Sequence, residues 1–287
     1  MPGSKLTIKP MKRQEMDLAI EWAKNEGWNP GHEDADSFYN ADPSGHFIGF
    51  LSDVPVGCIS AVTYGKTFGF LGLYIVRPEY RGKGYGIQLW KHAMKHLGAR
   101  NIGLDGVLAR RKDYEKHGFR FAYRNLRYGG KVDSNVAISK NIVDLVSFNI
   151  DDILEYDGKM SPVPRRQFLK GWMRQKGART LGYVSLHGQS AGWLSGYGVI
   201  RPCIMGHKIG PLFADNEQIA EQLFFALTKG MTDDKVFIDI PEGNADALRL
   251  AKRIGMEQVF ETARMYNLKI PDLPIYRIYG VTTLELG

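Results

Sequence analysis

The chain has 287 residues, of which 44% are hydrophobic and 24% charged, and its formal net charge is +7. This length and composition suit a globular protein with two domains of about 140 residues each. The longest apolar run, Phe68 to Val76, is far shorter than the roughly 20 residues of a membrane helix. Because residues 1 to 30 also carry no signal-peptide pattern, we expect a cytoplasmic protein without membrane contact.

The residue types exclude several kinds of site. The two cysteines, Cys58 and Cys203, lie far apart and form no C-x-x-C, which argues against a disulfide scaffold and a cysteine-rich zinc site. We therefore expect no bound metal. Lys and Arg are spread along the chain without a nucleic-acid-binding motif, so we expect no nucleic-acid partner. The basic residues between positions 77 and 83 are expected to serve an anionic cofactor instead.

Near the start of the chain, apolar residues recur at the spacing of one helical face: Met16, Ala19, Ile20 and Ala23. This spacing predicts an amphipathic helix, and a polar loop leads from it to a second short helix. Three strands are then expected, at about residues 46–51, 55–64 and 68–76. Pro78 prevents the third strand from continuing.

A glycine-rich turn separates the third strand from an amphipathic helix. Arg81, Gly84 and Gly86 have the spacing R-x-x-G-x-G at the start of that helix. The exposed amides of a helix N-terminus attract phosphate, because they lack intrahelical partners and the helix dipole adds positive charge. Within the helix, an apolar stripe is expected to pack in the core: Ile87, Trp90, Met94 and Leu97.

Two other phosphate-binding loops do not fit this turn. A P-loop requires Lys followed by Ser or Thr, but here Gly84 follows Lys83. A dinucleotide-binding loop requires G-x-G-x-x-G, whereas Gly82, Gly84 and Gly86 alternate. The run VRPEYRGKGYGIQL resembles instead the acyl-CoA pyrophosphate loop of the GNAT superfamily of N-acetyltransferases.

The resemblance implies a binding site for acetyl-CoA as acyl donor. In this family the backbone of the strand before the loop pairs with the pantetheine arm, which implies a contact with Tyr74, Ile75 and Val76. The loop amides hold the pyrophosphate, which implies binding by the residues of the turn: Arg81, Gly82, Lys83, Gly84, Tyr85 and Gly86. An ordinary glycine-rich turn between a strand and a helix is the structural alternative.

The segment DYEKHGFRFAYRN, residues 113–125, resembles a second landmark of the family. Tyr114 stands four positions before Gly118, where the resembling enzymes carry the tyrosine that protonates the departing CoA thiolate. A phenol with a pKa of about 10 stays protonated at neutral pH and is available as a donor. Packing of the helix on the sheet is its structural alternative. Upstream, Val107 and Arg110 stand where many members carry Asn and Ala.

The second half of the chain repeats the first. Three pairs of glycine anchors are separated by 135, 138 and 137 residues: Gly57 and Gly192, Gly72 and Gly210, Gly118 and Gly255. These offsets predict two GNAT-like α/β domains, residues 1–135 and 136–287, each with a mixed β-sheet flanked by helices. The second copy carries Asp215, Glu217 and Glu221 in place of the phosphate loop. Because carboxylates repel a pyrophosphate, we expect CoA binding in the first copy alone.

Residues 129–180 connect the halves and are expected to contain helices of the second domain, one of them over RRQFLKGWMRQ. The second copy is expected to provide either a wall of the substrate cleft or a packing surface. Apolar residues alternate over 275–286, which predicts a final strand.

Candidates for the acceptor side are polar or aromatic residues near the expected cleft: Trp28, Glu33, Asp34, His46 and Asp105. An amine must lose a proton before it attacks, so a carboxylate or histidine is a candidate base. Trp28 suits an apolar or cationic pocket. Each of these residues also fits a structural role, and transfer without a dedicated base is a further alternative.

Together these features predict an N-acetyltransferase in which a primary amine attacks the thioester of acetyl-CoA directly and Tyr114 is the acid. The expected acceptor is a small amine or amino acid, with a protein lysine as the alternative. A non-catalytic sensor that binds acyl-CoA is the rival interpretation. The sequence leaves the acyl chain length and oligomerisation open.

Overall fold

The computed structural model describes residues 5–132, 136–185 and 192–287. Within these residues the first half contains β1 (Leu6–Pro10), α1 (Arg13–Asn25), α2 (Asp34–Ala41), β2 (His46–Leu51), β3 (Val54–Tyr64), β4 (Phe68–Val76), α3 (Tyr85–Leu97), β5 (Asn101–Val107), α4 (Arg111–Lys116) and β6 (Arg120–Lys131). The second half contains β7 (Ile142–Asp144), α5 (Ile150–Asp157), α6 (Arg166–Trp172), β8 (Arg179–Ser185), β9 (Trp193–Pro202), β10 (His207–Ala214), α7 (Glu217–Thr228), β11 (Lys235–Pro241), α8 (Ala245–Arg253), β12 (Glu257–Tyr266) and β13 (Ile278–Gly280). The same succession of ten elements therefore occurs twice, which confirms the tandem α/β organisation.

Two predicted features differ from the structure. Ile87 lies in the first turn of α3 and is 38% exposed, so it does not belong to the buried face of that helix. The buried face is formed by Leu89, Trp90, Ala93 and Leu97. The final strand is limited to Ile278–Gly280, because the following residues turn towards the first half. There the hydroxyl of Tyr64 donates to the carbonyl of Leu286, and Arg165 donates to that of Gly287.

The described strands form one sheet, in the order β1-β2-β3-β4-β5-β12-β6-β11-β10-β9-β8-β7, with β13 paired to β10. β4 and β5 pair in parallel, and so do their counterparts β10 and β11. The parallel pair therefore occupies the same place in both copies, and helices α3 and α7 connect its two strands.

The strand that ends the repeated succession, β6 in the first copy and β12 in the second, lies in the other copy's part of the sheet. β12, from the second copy, pairs with β5 of the first, and β6 of the first copy pairs with β11 of the second. β6 and β12 also pair with each other and join the two halves. A division of the chain between residues 135 and 136 thus describes the order of the repeats, whereas β6 and β12 each complete the sheet of the other copy.

A buried ion pair holds each exchanged strand. Arg264 of β12 donates to Asp105 of β5, with Nη2–Oδ2 at 2.6 Å and Nε–Oδ1 at 3.0 Å. Arg127 of β6 binds Asp239 of β11 in the same bidentate way, at 2.7 and 2.9 Å. The two arginines are 137 residues apart and the two aspartates 134. These pairs are therefore repeats of each other, and each joins an arginine of one copy to an aspartate of the other.

Helices cover both faces of the sheet. α3 packs on one face of the first half, and α7 packs on the corresponding face of the second. On the opposite face, α1, α2, α5 and α6 contribute to a single core. α2 and α6 meet at the junction between the copies, where the rings of Phe38 and Trp172 stack with centroids 6.0 Å apart. The core on that face is thus continuous through both copies.

The ion pair between Asp105 and Arg264 gives a test of the strand exchange. Asp105→Leu leaves the guanidinium of Arg264 buried without a counter-charge, and we expect the free energy of unfolding to fall by about 3–5 kcal/mol. The double variant Asp105→Leu/Arg264→Met removes both charges and is expected to recover most of this loss. Urea unfolding of the two single variants and of the double variant measures the coupling energy between Asp105 and Arg264. A double variant that is no more stable than Asp105→Leu would contradict a stabilising ion pair at this position.

Candidate active site

The glycine-rich turn presents open amides at the start of α3. Gly82 and Gly84 have φ angles of +75° and +79°, a region that glycine adopts readily, and Gly84 is the N-terminal cap of the helix. In the described part of the chain, nothing accepts a hydrogen bond from the backbone amides of residues 82 to 86. These donors, at the positive end of the α3 dipole, are suited to a diphosphate.

The basic side chains of this turn are partly engaged within the protein. Arg81 Nε donates to the carbonyl of Val76 at 2.7 Å, and its Nη2 pairs with Glu26 at the end of α1. Lys83 Nζ donates to the carbonyl of Glu79 at 2.9 Å. The amides are thus the free donors of the turn, while the side chain of Arg81 ties the turn to α1.

The parallel strands before and after α3 diverge next to this turn. β4 and β5 pair from Phe68 opposite Asn101 to Leu71 opposite Leu104, although both strands continue further. Leu73 has a φ of +42° and lies in an irregularity of the β3–β4 register. The edge of β4 that faces β5 is therefore unpaired along residues 72–76, where a pantetheine arm would add as a further strand. The predicted contact with Tyr74, Ile75 and Val76 lies on this segment.

Two phenols flank the opening on the side of α3. The ring of Tyr114 lies on Gly106 of β5, where a side chain would collide with it, and its centroid is 5.7 Å from that of Trp90. Burial raises the pKa of Tyr114 to about 12, so it is protonated at neutral pH. Tyr74 also lies beside Trp90, with ring centroids 5.8 Å apart, and burial also raises its pKa. From the sequence only a contact with the backbone of Tyr74 is predicted, although its place in β4 opposite a helix signals an inward side chain.

Two of the candidate bases are committed to the interior. The side chain of Asp105 is fully buried, where its carboxylate accepts hydrogen bonds from Arg264 and, at 2.8 Å, from Asn125 Nδ2. His46 is also fully buried, and its Nε2 donates to the carbonyl of Phe38 at 2.8 Å. Burial lowers the pKa of His46 to about 4. Neither side chain is exposed to a substrate in this structure, so both predicted acceptor roles are replaced by structural ones.

The remaining acceptor candidates lie in the loop between α1 and α2 and at the first residue of α2, a region that the second copy holds in place. Gly31 forms a β-bridge with Cys203, and the carbonyl of Trp28 accepts from Arg127 Nη1 at 2.7 Å. Asp34 is buried in an ion pair with Arg201 at 2.7 Å, while Glu33 is half-buried beside it at the start of α2. This loop is thus clamped against the hairpin between β9 and β10.

In the second copy the corresponding opening between parallel strands is filled. β13 pairs with β10 at Leu212 and Phe213, and the amide of Val281 donates to the carbonyl of Asp239 in β11 at 2.8 Å. At the position of the phosphate loop, Asp215 pairs with Arg277 and accepts from the hydroxyl of Tyr156. In the second copy the chain itself therefore fills the opening between the parallel strands.

Comparison with known proteins agrees with this geometry. Residues 14–119 match the acetyltransferase (GNAT) family and residues 153–280 match an acetyltransferase (GNAT) domain. The holothin acyltransferase of Pseudoalteromonas sp. (strain SANK 73390) is 33% identical over 282 residues, which cover 98% of this chain and 94% of that protein.

Solved structures show the same fold. A Pyrococcus horikoshii protein named provisionally as an acetyltransferase has a TM-score of 0.82 at 24% identity, covering 100% of this chain and 97% of its own. A tandem GNAT protein from the clavulanic acid biosynthesis pathway has a TM-score of 0.65 at 13% identity, with 91% of this chain and 98% of that one covered. The described residues contain no helix with the length and apolar character needed to cross a bilayer. They also contain no cluster of three or more metal-binding side chains of His, Cys, Asp or Glu.

The buried imidazole of His46 makes stability depend on pH. Its pKa is about 4 in the folded state against about 6.5 when unfolded, so between these values the unfolded chain binds the extra proton. Stability is therefore lost as the pH falls through this window, by about 2 kcal/mol at pH 5 for this group. In His46→Gln the amide can still donate to Phe38 but does not titrate. Urea unfolding at pH 7.5 and pH 5 should show a smaller loss for the variant, and equal losses contradict this assignment.

Proposed function

Because the chain belongs to the GNAT family of acyltransferases, we propose that its first copy transfers the acetyl group of acetyl-CoA to the primary amine of a small molecule in the cytoplasm. The observation that carries the proposal is the juxtaposition, in one copy, of open loop amides, diverging strands and a buried protonated phenol. Cys58 and Cys203 are buried free thiols, which suits a reducing compartment.

The donor is held through its diphosphate and its pantetheine arm. The amides of residues 82–86 bind the diphosphate, and the unpaired edge of β4 binds the arm, which directs the thioester towards the rings of Tyr74 and Tyr114. Because the second copy lacks both features, we assign one donor site to the chain. Acetyl is the proposed acyl group. The relative from Pseudoalteromonas is named an acyltransferase without a stated acyl group, so transfer of a longer acyl chain is a variant of the same proposal.

The reaction is a direct acyl transfer. The lone pair of the neutral amine attacks the thioester carbon, the C–S bond breaks, and its electron pair remains on sulfur. Tyr114 donates its phenolic proton, as a hydrogen bond or by transfer, to the sulfur that gains this charge. The attacking nitrogen releases one proton to solvent, and solvent returns one proton to Tyr114 where it has transferred its own, or to the thiolate where it has not, so thiol and amide are the products.

The clamped loop between α1 and α2 supports a small acceptor. The bridge from Gly31 to Cys203 and the buried pair of Asp34 with Arg201 fix this loop against the second copy. A lysine on a folded protein needs an open groove, whereas a small amine needs only a narrow path. Glu33 and Trp28 stay as candidates to line that path. Holothin belongs in the acceptor panel because the relative is named for it.

Tyr114→Phe tests the proposed chemistry. We expect kcat for thiol release to fall at least about 10²-fold, because the departing thiolate loses its donor. The Kd for CoA, measured by calorimetry, should change less than twofold. For the wild type, kcat/KM should rise with pH until the acceptor amine is neutral, since the pKa of Tyr114 is about 12 and the phenol stays protonated throughout.

Two further variants make this test specific. Tyr276→Phe removes a phenol that is 66% exposed, outside the cleft, and should leave turnover unchanged. Tyr74→Phe removes the second phenol of the cleft, and a loss confined to it would assign the acid to Tyr74. Tight binding of CoA without turnover of any amine would favour the alternative of a non-catalytic acyl-CoA sensor. If calorimetric titration with CoA gave no binding heat, the proposed donor site would be refuted.

A further inference from the structure

A cavity of about 260 Å³ lies in the second copy, away from the donor site. Its apolar wall is formed by Leu145, Phe148, Ile153 and Met173, and Lys170 and Arg174 complete the lining. It lies among α5, α6, the start of β8 and the turn after β7. A cavity of about 150 Å³ is large enough for benzene, so this one accepts a longer chain.

The cavity exists because α5 and α6 pack on different partners. α6 packs against α2 of the first copy, where Trp172 stacks on Phe38, and α5 packs against β9. In the first copy, by contrast, the equivalent helices α1 and α2 pack on each other, and Met16 and Ala19 are fully buried there. The cavity therefore lies where α5 and α6 separate towards their different partners.

The lining selects an anion with an apolar tail. Lys170 and Arg174 are both exposed, which places them where the cavity meets solvent, and neither forms an ion pair with any described residue. Arg166, one turn earlier on α6, pairs with Asp151. The remaining polar group of the lining, the hydroxyl of Thr180, donates to the carbonyl of Met173 at 2.9 Å. Two unpaired cations at the rim of an apolar cavity attract a carboxylate and exclude an ammonium group.

We propose that this cavity binds a monocarboxylate with an unbranched apolar chain of about six to eight carbons, its carboxylate on Lys170 and Arg174. Binding here is non-catalytic, because β13 fills the donor opening of the same copy. The proposal is independent of the acyl transfer proposed for the first copy.

Calorimetric titration of the full chain with octanoate tests the site. Octylamine and octan-1-ol carry the same chain without the negative charge, and we expect octanoate to bind at least tenfold more tightly than either. Absence of binding up to millimolar octanoate, or equal affinity for the amine, overturns the proposal.

Charge-removing variants locate the site. Lys170→Gln/Arg174→Gln should weaken octanoate binding at least tenfold and leave octan-1-ol binding unchanged. Lys176→Gln/Lys229→Gln removes two exposed cations outside the lining and serves as the matched control. Equal weakening by both double variants indicates net charge alone and contradicts the assignment.

Two measurements do not depend on these variants. Saturating CoA should leave the octanoate affinity unchanged, because the donor opening is elsewhere, whereas competition would place octanoate between β4 and β5 and overturn the proposal. A photoreactive diazirine octanoate should label peptides covering 145–153 or 170–180. Labelling confined to other peptides contradicts the site.

Discussion

The two buried pairs of arginine and aspartate across the exchanged strands are the constraint on which the rest of the structure depends. Because Arg264 comes from the second copy and Asp105 from the first, neither charge is compensated unless both copies fold together. The pair of Arg127 with Asp239 imposes the same condition in the opposite direction. The second copy therefore completes the fold of the first, since β12 covers the edge of β5 opposite the diverging strands.

One opening is free and its counterpart is filled, although both arise from the same parallel pair of strands. After β13 fills the second opening, the chain continues towards the first copy, and the carbonyl of Glu285 lies where a side chain at Gly72 would stand. Arg165 holds this segment through Thr282 and Gly287. A single stretch of chain thus closes one copy and borders β4 of the other, which makes the two halves chemically unequal despite equal topology.

Local patterns predicted the features that depend on neighbours in sequence. Helical periodicity located α1 and α6, and glycine spacing located the turn before α3, because backbone conformation there is set by residues a few positions apart. The strand exchange was not predicted, because the alternation of apolar and polar residues along β6 or β12 shows which face is buried but does not identify the neighbouring strand. The repeated spacing of Arg127 with Arg264 was present in the sequence. The sequence alone does not show that this spacing marks two equivalent ion pairs, because each arginine binds an aspartate that belongs to the other copy.

Burial also bears on the acid role proposed for Tyr114. A phenol with a pKa of about 12 is a weaker acid than a thiol in water, which titrates near 8.5, so full proton transfer to a solvated thiolate is unfavourable. The same desolvation acts on sulfur, however, as burial raises the pKa of the Cys58 thiol. Inside a site that excludes water, the thiolate would therefore be destabilised together with the phenolate. In the proposed reaction a short hydrogen bond from Tyr114 would stabilise the charge as it forms, so the position of the phenol would matter more than its acidity.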